Sequence, residues 1–130
     1  MYTHRRSIDW RSSSGDLFTK RSQQAEAEHE ISIDIAAEAT DMLVAFALDI
    51  TQLKGFFMMA DGDLEVCTNS ASPGTDQFLL KANEPVHFLA GGDPAETNPF
   101  SLDVTALYVT NASLTTAVHL DIRALVDPVV

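Results

Sequence analysis

Four histidines, His4, His29, His87 and His119, are the side chains of this chain best suited to general-base work or metal ligation near neutral pH. Their spacing supports neither role. The sequence has no His-x-His, no His-Glu-x-x-His and no cupin-like pairing of a His with a Glu a few residues on. Asp61-Gly62-Asp63 with Glu65 offers oxygens two residues apart, which a hard cation would accept, but a calcium loop needs a longer ligand series with a closing Glu. The same residues make tight turns. Asp93 and Glu96 sit in a polar stretch where carboxylates are ordinarily just solvated. Gly91-Gly92 lacks the Lys-Ser/Thr of a phosphate loop, and no Gly-x-Ser-x-Gly elbow occurs. The single cysteine, Cys67, lies inside a strand pattern, where a buried thiol is inert, and it has no second cysteine for a disulfide or zinc cage. Asn111-Ala112-Ser113 has the form of a glycosylation sequon but reads as a turn. The sequence therefore predicts no catalytic residue, no cofactor and no metal.

The elements around these residues read as strands and turns. Residues 25–35 alternate, with Ala25, Ala27, His29, Ile31, Ile33 and Ile35 on one parity and Glu26, Glu28, Glu30, Ser32 and Asp34 on the other. Period two with β-branched Ile predicts a half-buried strand, His29 on its apolar side and the acidic row facing solvent or, as the less favoured reading, a basic partner. Residues 40–50 fit either period, and strand is the expectation; Thr51 to Lys54 predicts one helical turn. Asp61-Gly62-Asp63 predicts a hairpin pairing 55–60 with 64–69, and Asn83-Glu84-Pro85 predicts a second, between QFLLKA and VHFLA. A strand over 104–111 and a final one ending at Pro128 follow, with His119, Asp121 and Arg123 on the polar face of the latter. Seven or eight short strands with turns between them and no long helix predict an all-β fold, an antiparallel β-sandwich or small barrel, for which a jelly roll is one wiring.

Composition divides the chain in two. Residues 1–21 hold Arg5, Arg6, Arg11, Lys20 and Arg21 against Asp9 and Asp16, a net +3; the other 109 residues carry three basic against seventeen acidic side chains, a net −14, which together give the −11 of the whole. Residues 1–24 are also poor in aliphatics and without sustained periodicity, so they are expected to form an extended basic N-terminal arm ahead of a β-sandwich domain over 25–130. Fully extended, such an arm reaches about 80 Å. Arg5, Arg6, Trp10, Arg11 and Phe18 are its candidate partner-binding residues, because aromatic and Arg side chains dominate binding hot spots. The acidic total argues against direct nucleic-acid binding. No run approaches the roughly 18 apolar residues of a membrane span. The first twenty residues lack the apolar core of a secretory signal, so folding in the cytosol is the expectation.

The segments Ser72 to Asn83 and Val104 to Arg123 carry a Ser-Pro turn leading into Leu-Lys-Ala-Asn, then Val-Thr-Ala-Leu-Tyr-Val-Thr-Asn ahead of Asp-Ile-Arg. In this cadence the chain resembles small structural proteins of tailed bacteriophage virions. The resemblance implies a non-catalytic virion component: a capsid decoration or cement protein, or a head-tail or tail-surface protein. It also implies assembly in the host cytoplasm, binding to capsid or other virion proteins, and a homo-oligomeric state with a trimer favoured. A ligand- or carbohydrate-binding β-sandwich module of a phage tail or surface assembly is the alternative, and it calls for exposed aromatics on a concave face.

Overall fold

The structure, a computed structural model, describes residues 1–90 and 97–127. Gly91-Gly92, Asp93, Glu96 and the strand end at Pro128 lie outside the described residues. Among the described residues ten strands run in chain order: β1 (Tyr2–Trp10), β2 (Leu17–Ala25), β3 (Ala27–Ile35), β4 (Met42–Val44), β5 (Leu53–Ala60), β6 (Leu64–Thr68), β7 (Gln77–Leu80), β8 (Val86–Leu89), β9 (Leu107–Thr110) and β10 (Val118–Val126). One 3-10 turn, Ile50–Gln52, falls where the helical turn was predicted, and the Asp49 side chain caps it by accepting from Thr51 N.

The strands from β3 onward form two four-stranded antiparallel sheets, ordered β3-β10-β5-β8 and β4-β9-β6-β7. Counted from one, these eight body strands lie 1-8-3-6 and 2-7-4-5, the wiring of a jelly roll. The alternation in the sequence drives the packing. In the β3–β10 register Ile31 faces Ile122, Ile33 faces Leu120 and Ile35 faces Val118, so one parity of both strands enters the core. Phe56 and Met58 of β5 meet Val66, Leu107 and Val109 from the other sheet in the same buried cluster. Phe100 closes the sandwich, its ring edge-on to Phe56 at 4.9 Å and to Phe78 at 5.6 Å, one from each sheet.

Both predicted hairpins are overturned. β5 pairs with β10 and β8, whereas β6 pairs with β9 and β7, so the Asp61-Gly62-Asp63 turn carries the chain from one sheet to the other. β7 and β8 are likewise in different sheets; within the two sheets, β6 and β7 are the consecutive strands that pair. An Asp-Gly pair marks a chain reversal without dictating which strand receives it. Gly62 does not take the positive φ of the expected turn; among the described residues Gly15 is the glycine that does. What Gly62 supplies is room, because a Cβ there would lie 2.7 Å from Val118 Cγ2. The flanking carboxylates secure the crossing: Asp61 accepts from His119 N at 2.8 Å and Asp63 from Ala82 N at 3.1 Å.

Residues 1–25 also depart from expectation. They are not a single extended segment but a β-hairpin, β1 paired antiparallel with β2 from Tyr2↔Ala25 to Trp10↔Leu17. The turn is built from Ser12-Ser13-Ser14-Gly15-Asp16: Gly15 N donates to Ser12 O, Asp16 accepts from Ser12 N, and Gly15 takes φ +136. Nine paired residues at about 3.3 Å each give a reach near 30 Å, well short of the extended arm.

Candidate interaction surface

The register of the hairpin places Tyr2, His4, Arg6, Ile8 and Trp10 on the same face as Ala25, Gln23, Arg21, Thr19 and Leu17. The end of this face near Ala25 docks on the outer surface of the β3-β10-β5-β8 sheet. His4 Nε2 meets Glu28 Oε2 at 2.7 Å, Arg21 Nη2 donates to the carbonyls of Leu89 and Ala90, and Gln23 Nε2 donates to Ala90 O at 2.6 Å. Gly55 admits the His4 ring, since a Cβ there would stand 2.8 Å from its Nδ1. Beneath the hairpin, Leu89 and Leu125 point away from the main core by register and are nonetheless only 4% and 0% exposed. The hairpin is therefore the lid of a second, small apolar layer.

Between hairpin and sheet lies a cleft of about 610 Å³, lined among others by His4, Arg6, Ile8, Phe57, His87 and Arg123. Its size suits a small ligand. Its charges are partly committed: Glu28 to His4, and Arg123 to Glu30 at 3.2 Å and to the carbonyls of Ile31 and Ile122.

At its far end the hairpin carries exposed apolar side chains. Trp10 (66% exposed) opposes Leu17 (72%) across the strand pair, with Ile8 beside them, while Phe18 (67%) lies on the other face opposite Asp9. The five sequence-predicted contact residues are thus separated. Arg6 is half-buried and faces the body, Arg5 points outward, Arg11 pairs with Asp9 at 3.0 Å, and Trp10 and Phe18 project from opposite faces of the tip. Leu17 and Ile8 join Trp10 in this patch. The signal in the sequence that could have found the hairpin was the turn-forming cluster Ser12-Ser13-Ser14-Gly15-Asp16 near the middle of residues 1–25.

The remaining candidates for chemistry have structural duties. The acidic row of β3 faces outward and meets basic partners there: Glu28 pairs with His4, Glu30 with Arg123 and Asp34 with His119 at 2.7 Å, the latter two carboxylates staying mostly exposed. His29 stands edge-on to Phe46. Burial pushes the Cys67 thiol up from its ordinary pKa, where it is protonated and unreactive. Among the described residues no group of three His, Cys, Asp or Glu side chains could hold a metal, and no helix is long and apolar enough to cross a membrane. Comparison with protein-family models, with curated proteins and with solved structures gave no match, so the architecture rests on strand order and register alone.

His119 gives a pH dependence with a definite sign. Its imidazole bridges the strands, Nδ1 on Asp34 and Nε2 near Ser32 and Asp121, and the hydrogen bond to Asp34, reinforced by both carboxylate charges, raises its pKa above 6.5 against a smaller opposing effect of burial. A raised folded-state pKa contributes stability that is complete below 6.5 and is lost as pH rises through the folded value. The urea midpoint of His119→Gln should accordingly fall below that of the native chain at about pH 5.5, with the gap narrowing toward about pH 8.5. A gap independent of pH would exclude the linkage.

Proposed function

We propose that this chain is a non-catalytic structural protein of a virion, a decoration or cement protein of a bacteriophage capsid, assembled in the host cytoplasm and working as an oligomer. The carrying observation is the hairpin tip, where Trp10, Leu17 and Phe18 stand mostly exposed on a two-stranded element held by a jelly-roll body. A monomer gains nothing from such a patch, whereas an assembly subunit uses it as an anchor. Docking of the hairpin base through His4, Arg21 and Gln23 presets the direction of the tip, which lowers the entropy cost of binding relative to a free arm. The virion setting comes from the resemblance over Ser72 to Asn83 and Val104 to Arg123.

The test is cosedimentation with phage particles that lack the protein. Trp10→Ser combined with Phe18→Ser should weaken particle binding by about 30-fold or more, the loss of a hot spot, with the thermal midpoint unchanged because both side chains are exposed. Undiminished binding would remove the tip from the contact. A ligand-binding module is the second reading, carried by the cleft beside Phe57 and His87. That function would leave ligand affinity untouched by the tip substitutions.

A further inference from the structure

Ser32, His119 and Asp34 stand in the order of a serine nucleophile, its general base and the carboxylate that orients the base. His119 Nε2 lies 2.8 Å from Ser32 Oγ, and its Nδ1 lies 2.7 Å from Asp34 Oδ1. The register of the sheet produces this geometry. Asp34 is directly opposite His119 in the β3–β10 pair and Ser32 is opposite Asp121, which makes Ser32 the diagonal neighbour of His119 on the same outer face. The Asp34 contact sets the tautomer of the neutral ring: Nδ1–H donates to the carboxylate, and the Nε2 lone pair is left to accept from the Ser32 hydroxyl. The site is open to reagents. Ser32 is exposed, β3 is an edge strand of its sheet, and His119 lies six residues along β10 from the hairpin-covered Leu125, about 20 Å away.

We infer that Ser32 is a covalent modification site, a nucleophile toward activated acyl and phosphonyl groups, with His119 as its base and Asp34 as the positioning residue. Ser32 Oγ attacks the carbonyl carbon of an activated ester, or the phosphorus of a fluorophosphonate, as its proton passes to His119 Nε2. The Oγ–C or Oγ–P bond forms, the bond to the leaving group breaks, and the leaving group departs with the electron pair as an aryloxide or fluoride. The imidazolium then releases its proton to solvent. Asp121 sets the limit of this chemistry. Its carboxylate, 3.3 Å from Nε2, competes for the ring nitrogen and puts negative charge beside the oxygen that becomes anionic during attack, the reverse of an oxyanion hole. Good leaving groups overcome that repulsion, whereas hydrolysis of the resulting serine ester does not. The product is a stable one-to-one adduct and not turnover, which goes beyond the structural role proposed above and leaves it standing.

Treating the folded full-length chain with an alkyl fluorophosphonate at about pH 8.5, where the base is neutral, and locating the adduct by peptide mass spectrometry tests this. One phosphonyl group should appear on Ser32, about 100-fold faster than on any other serine, the lower range of general-base assistance. Ser32→Ala and, separately, His119→Gln should abolish it. Labelling needs the neutral imidazole, so its rate should rise with pH through the pKa of His119. The carboxylates around that residue are Asp34 and Asp121, which face the ring, and Asp61, which accepts from its backbone N–H; Met59 of β5, opposite Asp121, brings no charge. Asp34→Asn should slow labelling about tenfold and move the pH profile to lower pH, because the hydrogen bond to Asp34 is the main cause raising that pKa. Asp121→Asn should speed labelling, a gain that loss of folding cannot produce. A native chain that stays unlabelled, label spread over several serines, a Ser32 adduct that forms as fast in His119→Gln, or a slower Asp121→Asn overturns the inference.

Discussion

Removing residues 1–25 is expected to destabilise the jelly-roll body by about 3–5 kcal/mol, because Leu89 and Leu125 would pass from full burial into water. Each buried leucine side chain is worth about 1.5–3 kcal/mol, and area bookkeeping of this kind is an upper figure. The hydrogen bonds from Arg21 and Gln23 to the Leu89 and Ala90 carbonyls add little, since water replaces them once the hairpin is gone. For a domain of this size the loss lowers the melting temperature by roughly 15 °C. Thermal unfolding of residues 26–130 beside the full chain measures it. Equal midpoints would mean that the hairpin contributes nothing to the stability of the body. Leu89→Ser with Leu125→Thr in the shortened chain should then improve its solubility, since both positions have become surface.

That expectation reverses what composition alone suggests for residues 1–25, and the reason is physical. β3 and β10 were legible because one of their faces is a hydrocarbon core, which forces Ile31, Ile33, Ile35, Leu120 and Ile122 into period two. The docking face of the hairpin is His4, Arg6, Arg21 and Gln23, groups that bind through hydrogen bonds and stacking room over Gly55, so no hydrophobic alternation records it. The sheet partners were illegible for a different reason. The turns at Asp61-Gly62 and Asn83-Glu84-Pro85 were located correctly, yet a turn is local, and whether the chain pairs back or crosses to the other sheet depends on strands distant in sequence, β9 and β10 for β6 and β5, and β5 for β8. The candidate contact residues fared in between. Trp10 and Phe18 stood out by type, and the structure leaves both exposed at the tip. Leu17 was visible in the sequence but acquires meaning only once it stands opposite Trp10.

The largest effect of a single side chain is expected at Asn111, where replacement by alanine should cost about 3–4 kcal/mol. The residue is 1% exposed and its amide is fully engaged: Nδ2 donates to Ile35 O at 3.1 Å and Thr116 O at 3.0 Å, and Oδ1 accepts from Ser113 N at 3.0 Å. It thereby fastens the end of β3 to the connection between β9 and β10. Truncation orphans the Ile35 carbonyl in a residue with no exposure, at about 1–3 kcal/mol for such a group, and frees the connection that its other two bonds hold. The same geometry accounts for the sequon reading as a turn, because an amide facing two carbonyl oxygens inside the fold has no free nitrogen to offer a glycan. Asn111→Asp discriminates between lost volume and lost donors. Aspartate fills the same space but turns an acceptor toward the carbonyls of Ile35 and Thr116, so at neutral pH it should be at least as destabilising as alanine, and less so in acid, where a protonated carboxyl regains one donor. Urea unfolding of the three proteins at about pH 4.5 and pH 7.5 decides it. An aspartate variant as stable as the native chain at both would show that these hydrogen bonds do not hold the β3 end.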